Sequence, residues 1–145
     1  MIRALAIAAS LGCLVMSGPA LACRCNEPSA ADAVASSAMA IFGKVATIRK
    51  VGPNAFDYEV IAERAWGQAR PGTVVVRSQG MCQYEMEKDA KYLLFLRRTS
   101  PGILQTSVCM GNQPEAEMAA TVSLLEGRYR TLEHMPANGA HAPCG

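Results

Sequence analysis

The most hydrophobic stretch of this chain is KYLLFLR, residues 91–97, in which five apolar or aromatic residues lie between a lysine and an arginine. A short apolar run of this length with charged ends is typical of a β-strand. Because it is the most hydrophobic strand pattern of the sequence, we predict that it lies at the centre of the fold.

Turn residues divide the sequence around this stretch into further strands. Gly52-Pro53-Asn54 separates two strand patterns, the second of which has one mostly polar face, so the two predict a hairpin. Pro-Gly pairs at 71–72 and 101–102 precede two more strand patterns. The four patterns lie at 40–51, 56–63, 73–77 and 103–109. Five short strands with close turns predict a mainly β fold, a small antiparallel barrel or sandwich.

One helix is predicted on each side of these strands. Ser29 is placed to cap a short Ala-rich helix that ends at about Ala38, with Asp32 in the position of a capping box. A second helix is predicted from Pro114 to His134, because apolar residues recur there at spacings of four, three, four and three. These residues are Met118, Val122, Leu125, Tyr129 and Leu132.

The N-terminus has the pattern of a secretory signal peptide. Arg3 is followed by an apolar stretch from Ala4 to Met16, and Ala20-Leu21-Ala22 provides the small residues that a signal peptidase accepts. The apolar stretch is too short for a membrane span. We therefore predict cleavage after Ala22 and a secreted or periplasmic protein. The alternative, a lipid anchor on Cys23, fits less well because bulky Leu21 lies where such signals have a small residue.

The 123 residues left from Cys23 to Gly145 are enough for one domain. We predict a domain at 23–134 and a disordered tail at 135–145, which is rich in Pro, Ala, Gly and Asn. Loss of Arg3 leaves 13 of the 14 basic residues against 12 acidic ones. A charge so close to neutral, with no long basic run, argues against a nucleic-acid partner, and no later segment is apolar for long enough to cross a membrane.

Five of the six cysteines remain after cleavage, and in an oxidising compartment they indicate disulfides. Cys23 and Cys25 are poor partners for each other, because a ring closed across one residue is strained. In an extended segment they share one face, so each can reach a distant partner. Pairing both with Cys82 and Cys109 leaves Cys144, which either stays free or links two chains.

The layout of these pieces resembles the netrin-like module, whose best-known members are the tissue inhibitors of metalloproteinases. The shared order is an N-terminal Cys-x-Cys, a short helix, a five-stranded barrel with later cysteines, and a closing helix. The segments that carry the resemblance are Cys23-Arg24-Cys25, Phe42-Gly43-Lys44-Val45, Trp66-Gly67, Cys82, Lys91–Leu96 and Leu104–Cys109. They are spread over most of the predicted mature chain.

The resemblance implies an oligonucleotide/oligosaccharide-binding type barrel with disulfides Cys23–Cys82 and Cys25–Cys109. It also implies a function, inhibition of a metalloendopeptidase, in which the backbone amine and carbonyl of Cys23 bind the zinc of the target. No metal or cofactor of the chain's own is implied. The target-binding residues carried over from the family are Cys23, Arg24, Gln79, Gly80, Met81 and Cys82.

Other functions stay open at this point. The Cys-x-Cys pair can be a purely structural clamp, or its thiols can take part in metal binding or redox exchange. Arg24 departs from the small polar or hydroxyl residue that the inhibitors have there. It favours the alternative of a non-inhibitory netrin-like binding or scaffold module of the cell envelope, which can be lipid-anchored at Cys23.

We do not expect an enzyme. The two histidines, His134 and His141, lie at the end of the last helix and in the tail, far from any plausible nucleophile. The sequence has no zinc-protease helix motif, no Gly-rich phosphate loop and no nucleophile elbow.

Overall fold

The computed structural model of this protein describes Cys23 and residues 25–133. The predicted signal peptide, Arg24, His134 and the predicted tail with His141 and Cys144 lie outside the described residues. The elements in chain order are α1 (Ala30–Ser36), β1 (Met39–Gly52), β2 (Ala55–Gly67), β3 (Gly72–Gln79), β4 (Lys91–Ser100), β5 (Ile103–Thr106), β6 (Gln113–Pro114) and α2 (Ala119–Glu133).

Five strands close into a barrel, as the sequence predicts. β1 pairs with β2 and, through Met39–Lys44, with β4, while β3 pairs with β2 and with β5. The β4–β5 hairpin closes the ring. β1 can pair with both β2 and β4 because it is 14 residues long and its register with β2 shifts at three places. Such bulges bend a strand and help a sheet to close.

The expectation of a wholly antiparallel barrel is wrong at one place, since β3 and β5 run parallel. The reason is a matter of parity. Directions that alternate around a closed ring require an even number of strands, and this ring has five. At least one parallel pair is therefore unavoidable, and here it is β3–β5; the other pair of strands that are not consecutive in sequence, β1–β4, is antiparallel.

The KYLLFLR stretch forms the hydrophobic part of β4 and is buried on both of its faces. Tyr92, Leu94 and Leu96 point into the barrel interior, whereas Leu93 and Phe95 belong to a second core beneath the helices. A strand that is covered on both sides reads as a continuous apolar run rather than an alternating one. Burial on both faces explains why this stretch is a continuous apolar run without alternating polar residues.

The two helices cover the outer face of β1 and β4. Ser29 caps α1, where its hydroxyl accepts a hydrogen bond from the Asp32 N–H at 3.2 Å, as the capping pattern predicts. α1 and α2 contact each other, and the Arg128 side chain donates to the carbonyl of Val34. Val122 and Leu125 of α2 are buried in the second core. In the part of the chain that the structure describes, no helix combines the length and apolarity needed to cross a bilayer.

The second helix begins later than the sequence predicts, and the fifth strand ends earlier. Gln113 and Pro114 pair with β4 as the two-residue strand β6, and α2 begins at Ala119 after a 3-10 turn at Glu115–Glu117. Strand β5 stops at Thr106 and is followed by a 3-10 helix at Val108–Met110. The chain has to leave the sheet here because the next part of the β4 edge is filled by a side chain.

That side chain is the amide of Asn112, which is 8% exposed. Its oxygen accepts from the Phe95 N–H at 2.9 Å, and its nitrogen donates to the Thr106 hydroxyl at 2.7 Å and to the Ser107 carbonyl at 2.9 Å. The Thr106 hydroxyl in turn donates to the Phe95 carbonyl at 2.9 Å. Side chains thus satisfy the backbone groups of β4 between its contacts with β5 and β6, as buried polar groups require.

Asp57 on β2 is the most enclosed carboxylate of the sheet surface. Its side chain is 6% exposed and accepts two hydrogen bonds from Arg77, at 2.7 and 2.9 Å, and one from Arg49 at 3.4 Å. These arginines lie on the strands at either side. The hydrogen bonds from Arg77, opposed by burial, lower the pKa of Asp57 below its usual value.

This lowered pKa predicts a loss of stability in acid. The charged form of Asp57 is favoured in the folded state, so its contribution is full above the unfolded value of about 3.9 and is lost as the pH falls through the lower folded value. Asp57→Asn should lower the free energy of unfolding by about 1–3 kcal/mol at pH 7. It should also flatten the fall in stability below about pH 4. Urea unfolding at a series of pH values measures both effects.

Asp89→Asn is the matched control for this substitution. Asp89 pairs with Lys44 at 3.5 Å, but its side chain is 67% exposed, and exposed pairs contribute little. The free energy of unfolding of Asp89→Asn should stay within about 0.5 kcal/mol of that of the parent at every pH. An equal acid dependence in the two variants would contradict the role given to Asp57.

Candidate functional site

Two disulfides attach the N-terminal segment to the barrel. Cys23 is joined to Cys82, after the end of β3, and Cys25 to Cys109 in the 3-10 helix after β5. The Cα–Cα distances are 5.2 and 5.5 Å. This is the pairing that the netrin-like resemblance implies.

The two bonds lie against each other. The Sγ atoms of Cys23 and Cys109, which belong to different disulfides, are 3.7 Å apart. The Sγ atoms of Cys23, Cys82 and Cys109 all lie within 4.8 Å of one another, and the three residues are half-buried. The N-terminal segment is therefore held by one compact group of sulfur atoms.

The predicted strip Gln79–Cys82 forms a turn directly beside this group. Gly80 has a φ of 82°, in the left-handed region that favours glycine. Its N–H donates to the carbonyl of Asn54 at 2.7 Å, so the β1–β2 hairpin turn supports the strip. Met81, at the outside of the turn, is 64% exposed. The strip thus presents a flexible apolar side chain one residue before Cys82, which is bonded to Cys23.

Val108 extends this surface on the other side of Cys82. Its N–H donates to the carbonyl of Cys82 at 3.0 Å, and the residue is 37% exposed. We call the surface formed by Cys23, Gln79–Cys82 and Val108 the N-terminal contact surface. The Asn112 amide supports this surface, because it donates a hydrogen bond to the carbonyl of Ser107, the residue before Val108.

Among the residues that the structure describes, those of the N-terminal contact surface carry no charged side chain. Tyr84, which follows it, is half-buried, and its N–H donates to the Ser78 hydroxyl at 2.6 Å. Burial raises the pKa of Tyr84 to about 12, so its hydroxyl stays neutral at physiological pH. A surface of amide, thioether and aliphatic groups is suited to contact with another molecule rather than to proton transfer.

Most residues predicted for the site are brought together in the structure. Cys23 and the strip from Gln79 to Cys82 lie side by side because of the disulfide. Arg24 lies outside the described residues, so its predicted contact with a target stays a prediction.

Two residues of the surroundings were missed by the sequence reasoning. The sequence predicts that Val108 belongs to a strand that continues to Cys109, and no sequence pattern marks Asn112 as part of the site. The pair Gly111-Asn112 is a turn signal, but it lies beyond Cys109 and does not indicate that the strand ends at Thr106. Nothing in the sequence indicates that the Asn112 amide replaces a strand partner of β4.

In comparisons with known proteins, no family model matches this chain, and no curated protein is significantly similar to it. The netrin-like resemblance therefore stays a prediction beyond the barrel that it implies.

Proposed function

We propose that this protein is exported and inhibits zinc metalloendopeptidases, with the backbone amine and carbonyl of Cys23 as the zinc-binding groups. The N-terminal contact surface forms the surrounding interface. Arg24 enters the pocket of the target next to the zinc.

Export is supported by the signal pattern that ends at Ala22 and by the two disulfides, which are typical of proteins from oxidising compartments. The Cys23–Cys82 bond also bears on the lipid-anchored alternative. Lipid attachment at a cysteine uses its sulfur, and here that sulfur is bonded to Cys82. The two modifications exclude each other in one molecule, so this bond favours export without an anchor.

The observation that carries the proposal is the attachment of Cys23 to the exposed turn that contains Met81. Cleavage after Ala22 would make Cys23 the first residue, and the disulfide would then hold that end against the barrel. A free chain end normally loses much conformational freedom on binding. An end that is already fixed avoids most of this entropy cost, which favours affinity.

The chemistry of a free Cys23 suits a protease zinc. A catalytic zinc keeps one coordination position open for water or substrate. An α-amino group has a pKa of about 7.7–8.0 and readily loses its proton beside a metal. The amine and the carbonyl of the same residue can then bind together and displace the catalytic water.

The composition of the N-terminal contact surface indicates the kind of target surface. Met81 and Val108 supply exposed apolar area, and Gln79 is the one side chain of the surface that can form hydrogen bonds through an amide. Methionine adapts its shape to different partners. We therefore expect an apolar target surface around the zinc, contacted without ion pairs except through Arg24.

A panel of zinc endopeptidases tests the proposal. Protein whose first residue is verified as Cys23 by mass spectrometry should inhibit at least one member at micromolar concentration. Inhibition should be competitive with a peptide substrate, because both need the open zinc position. If no member of a broad panel is inhibited, the binding or scaffold module becomes the better account.

A further inference from the structure

A cavity of about 410 Å³ lies at one end of the barrel, where β4 leaves β1 and continues beside β5. Met39 and Leu96, which are partners across β1 and β4 and belong to the barrel core, line it. Met110 of the 3-10 helix after β5 lines it as well. Small-molecule sites have volumes of about 300–1,000 Å³ and often lie in the mouths of barrels. We call this space the barrel-end cavity.

The charges around the barrel-end cavity are all positive. Arg97 and Arg98 line it with exposed side chains, and none of the described residues that line it is acidic. Arg97 donates to the amide oxygen of Gln105 at 3.4 Å. The Arg98 guanidinium has neither an ion pair nor a hydrogen bond with another described residue. The charge of the cavity therefore favours an anion.

A neutral polar group is also left for a ligand. Ser37, which is 8% exposed, lines the cavity, and its hydroxyl has no hydrogen bond with a described residue. Buried polar groups normally have a partner, which a ligand oxygen can provide here. The carbonyls of Ser37 and Ala38 at the end of α1 already have donors. They accept from the Tyr129 hydroxyl and from the Gln68 N–H, both at 3.2 Å.

We propose that the barrel-end cavity binds a small organic carboxylate. Its carboxylate contacts Arg97 and Arg98, whose planar guanidinium groups match the geometry of a carboxylate. Its apolar body covers Met39, Leu96 and Met110, which an inorganic anion would leave uncovered. The site is independent of protease inhibition, because no residue of the N-terminal contact surface lines the cavity.

Two probes of the same shape test the proposal, 3-phenylpropanoate and its neutral amide 3-phenylpropanamide. The full folded chain with intact disulfides is labelled with ¹³C in its methionine methyl groups, and each probe is titrated while the NMR signals are followed. The acid should shift the signals of Met39 and Met110 with a Kd of about 1–10 mM. The amide should bind at least about fivefold more weakly, because it lacks the charge. Met81, which is 64% exposed on the N-terminal contact surface, is the internal control and should not shift.

Arg98→Gln should weaken binding of the acid about fivefold and leave binding of the amide unchanged. Arg49→Gln makes the same chemical change on a side chain that is 70% exposed and lies in β1 ten residues after Met39. It should leave the affinity for both probes as in the parent. The proposal is overturned if the acid does not shift Met39 and Met110, or if it shifts Met81 equally. Equal affinity for acid and amide, or equal affinities of the two arginine variants for the acid, would overturn it as well.

Discussion

Replacing Cys25 and Cys109 together by serine is expected to lower the free energy of unfolding by about 3.5 kcal/mol. The bond spans 84 residues, but Cys23–Cys82 already closes much of that span. With the Cys23–Cys82 bond intact, the second bond closes a ring of only about 30 residues. The chain-entropy account therefore gives a smaller stabilisation than it would for a loop of 84 residues. The main effect is on the unfolded chain, which gains freedom when the bond is absent.

Urea unfolding of the variant and the parent, both with oxidised Cys23–Cys82, measures this loss. Cys144→Ser is the control, because the sequence predicts that this residue lies in a disordered tail. Its effect should be within about 0.5 kcal/mol. A loss below about 1 kcal/mol in the double variant would mean that the N-terminal segment is held by contacts other than the disulfide.

Gly43→Ala is expected to cost about 3 kcal/mol, although it adds one methyl group. Gly43 lies at a register shift between β1 and β2. A Cβ atom there would lie 2.3 Å from the carbonyl oxygen of Ile61 and 2.7 Å from the Cα atom of Ala62. Both are backbone atoms, so the strand itself would have to move.

Gly127→Ala is the matched control, since it makes the same chemical change inside α2. A Cβ atom at Gly127 would meet nothing within 4 Å. Alanine is the better helix former, so this variant should be more stable by up to about 1 kcal/mol. Thermal or urea unfolding should thus give opposite signs for the two substitutions. A Gly43→Ala variant as stable as the parent would contradict the close strand contact.

The barrel could be predicted because its strands are marked by local signals. Turn residues separate the strand patterns, and the apolar run at 91–97 becomes the most deeply covered strand. The cap at Ser29 is also local, and the structure has it as expected. Such features depend on residues that are close in sequence, which is where sequence reasoning is strongest.

The features that were missed depend on contacts between distant parts of the chain. The parallel pairing of β3 with β5 follows from closing a ring of five strands, and no local pattern records it. The role of Asn112 arises because β5 and β6 leave a gap along β4, which only the assembled sheet reveals. The early end of β5 has the same cause.

The candidate site was predictable in its members but not in its shape. The cysteines and the strip from Gln79 to Cys82 were named through the resemblance. The contribution of Val108 and the contact between Gly80 and Asn54 required the structure. The Cys-x-Cys spacing predicts that the two disulfides begin side by side, but the 3.7 Å approach of the Cys23 and Cys109 sulfur atoms required the structure.

The most direct test of the proposed function compares two forms of the protein that differ by one residue at the N-terminus. One begins with Cys23, and the other carries a single alanine before it. The added residue turns the α-amine of Cys23 into an amide, which cannot donate a lone pair to zinc. The disulfides and the barrel stay unchanged.

For a protease that the first form inhibits, the inhibition constant is the quantity to measure. We predict that the added alanine raises it by at least about 100-fold, a loss of about 3 kcal/mol in binding, while the melting temperature stays the same. Equal inhibition by the two forms would contradict the central claim that the amine of Cys23 binds the zinc of the target.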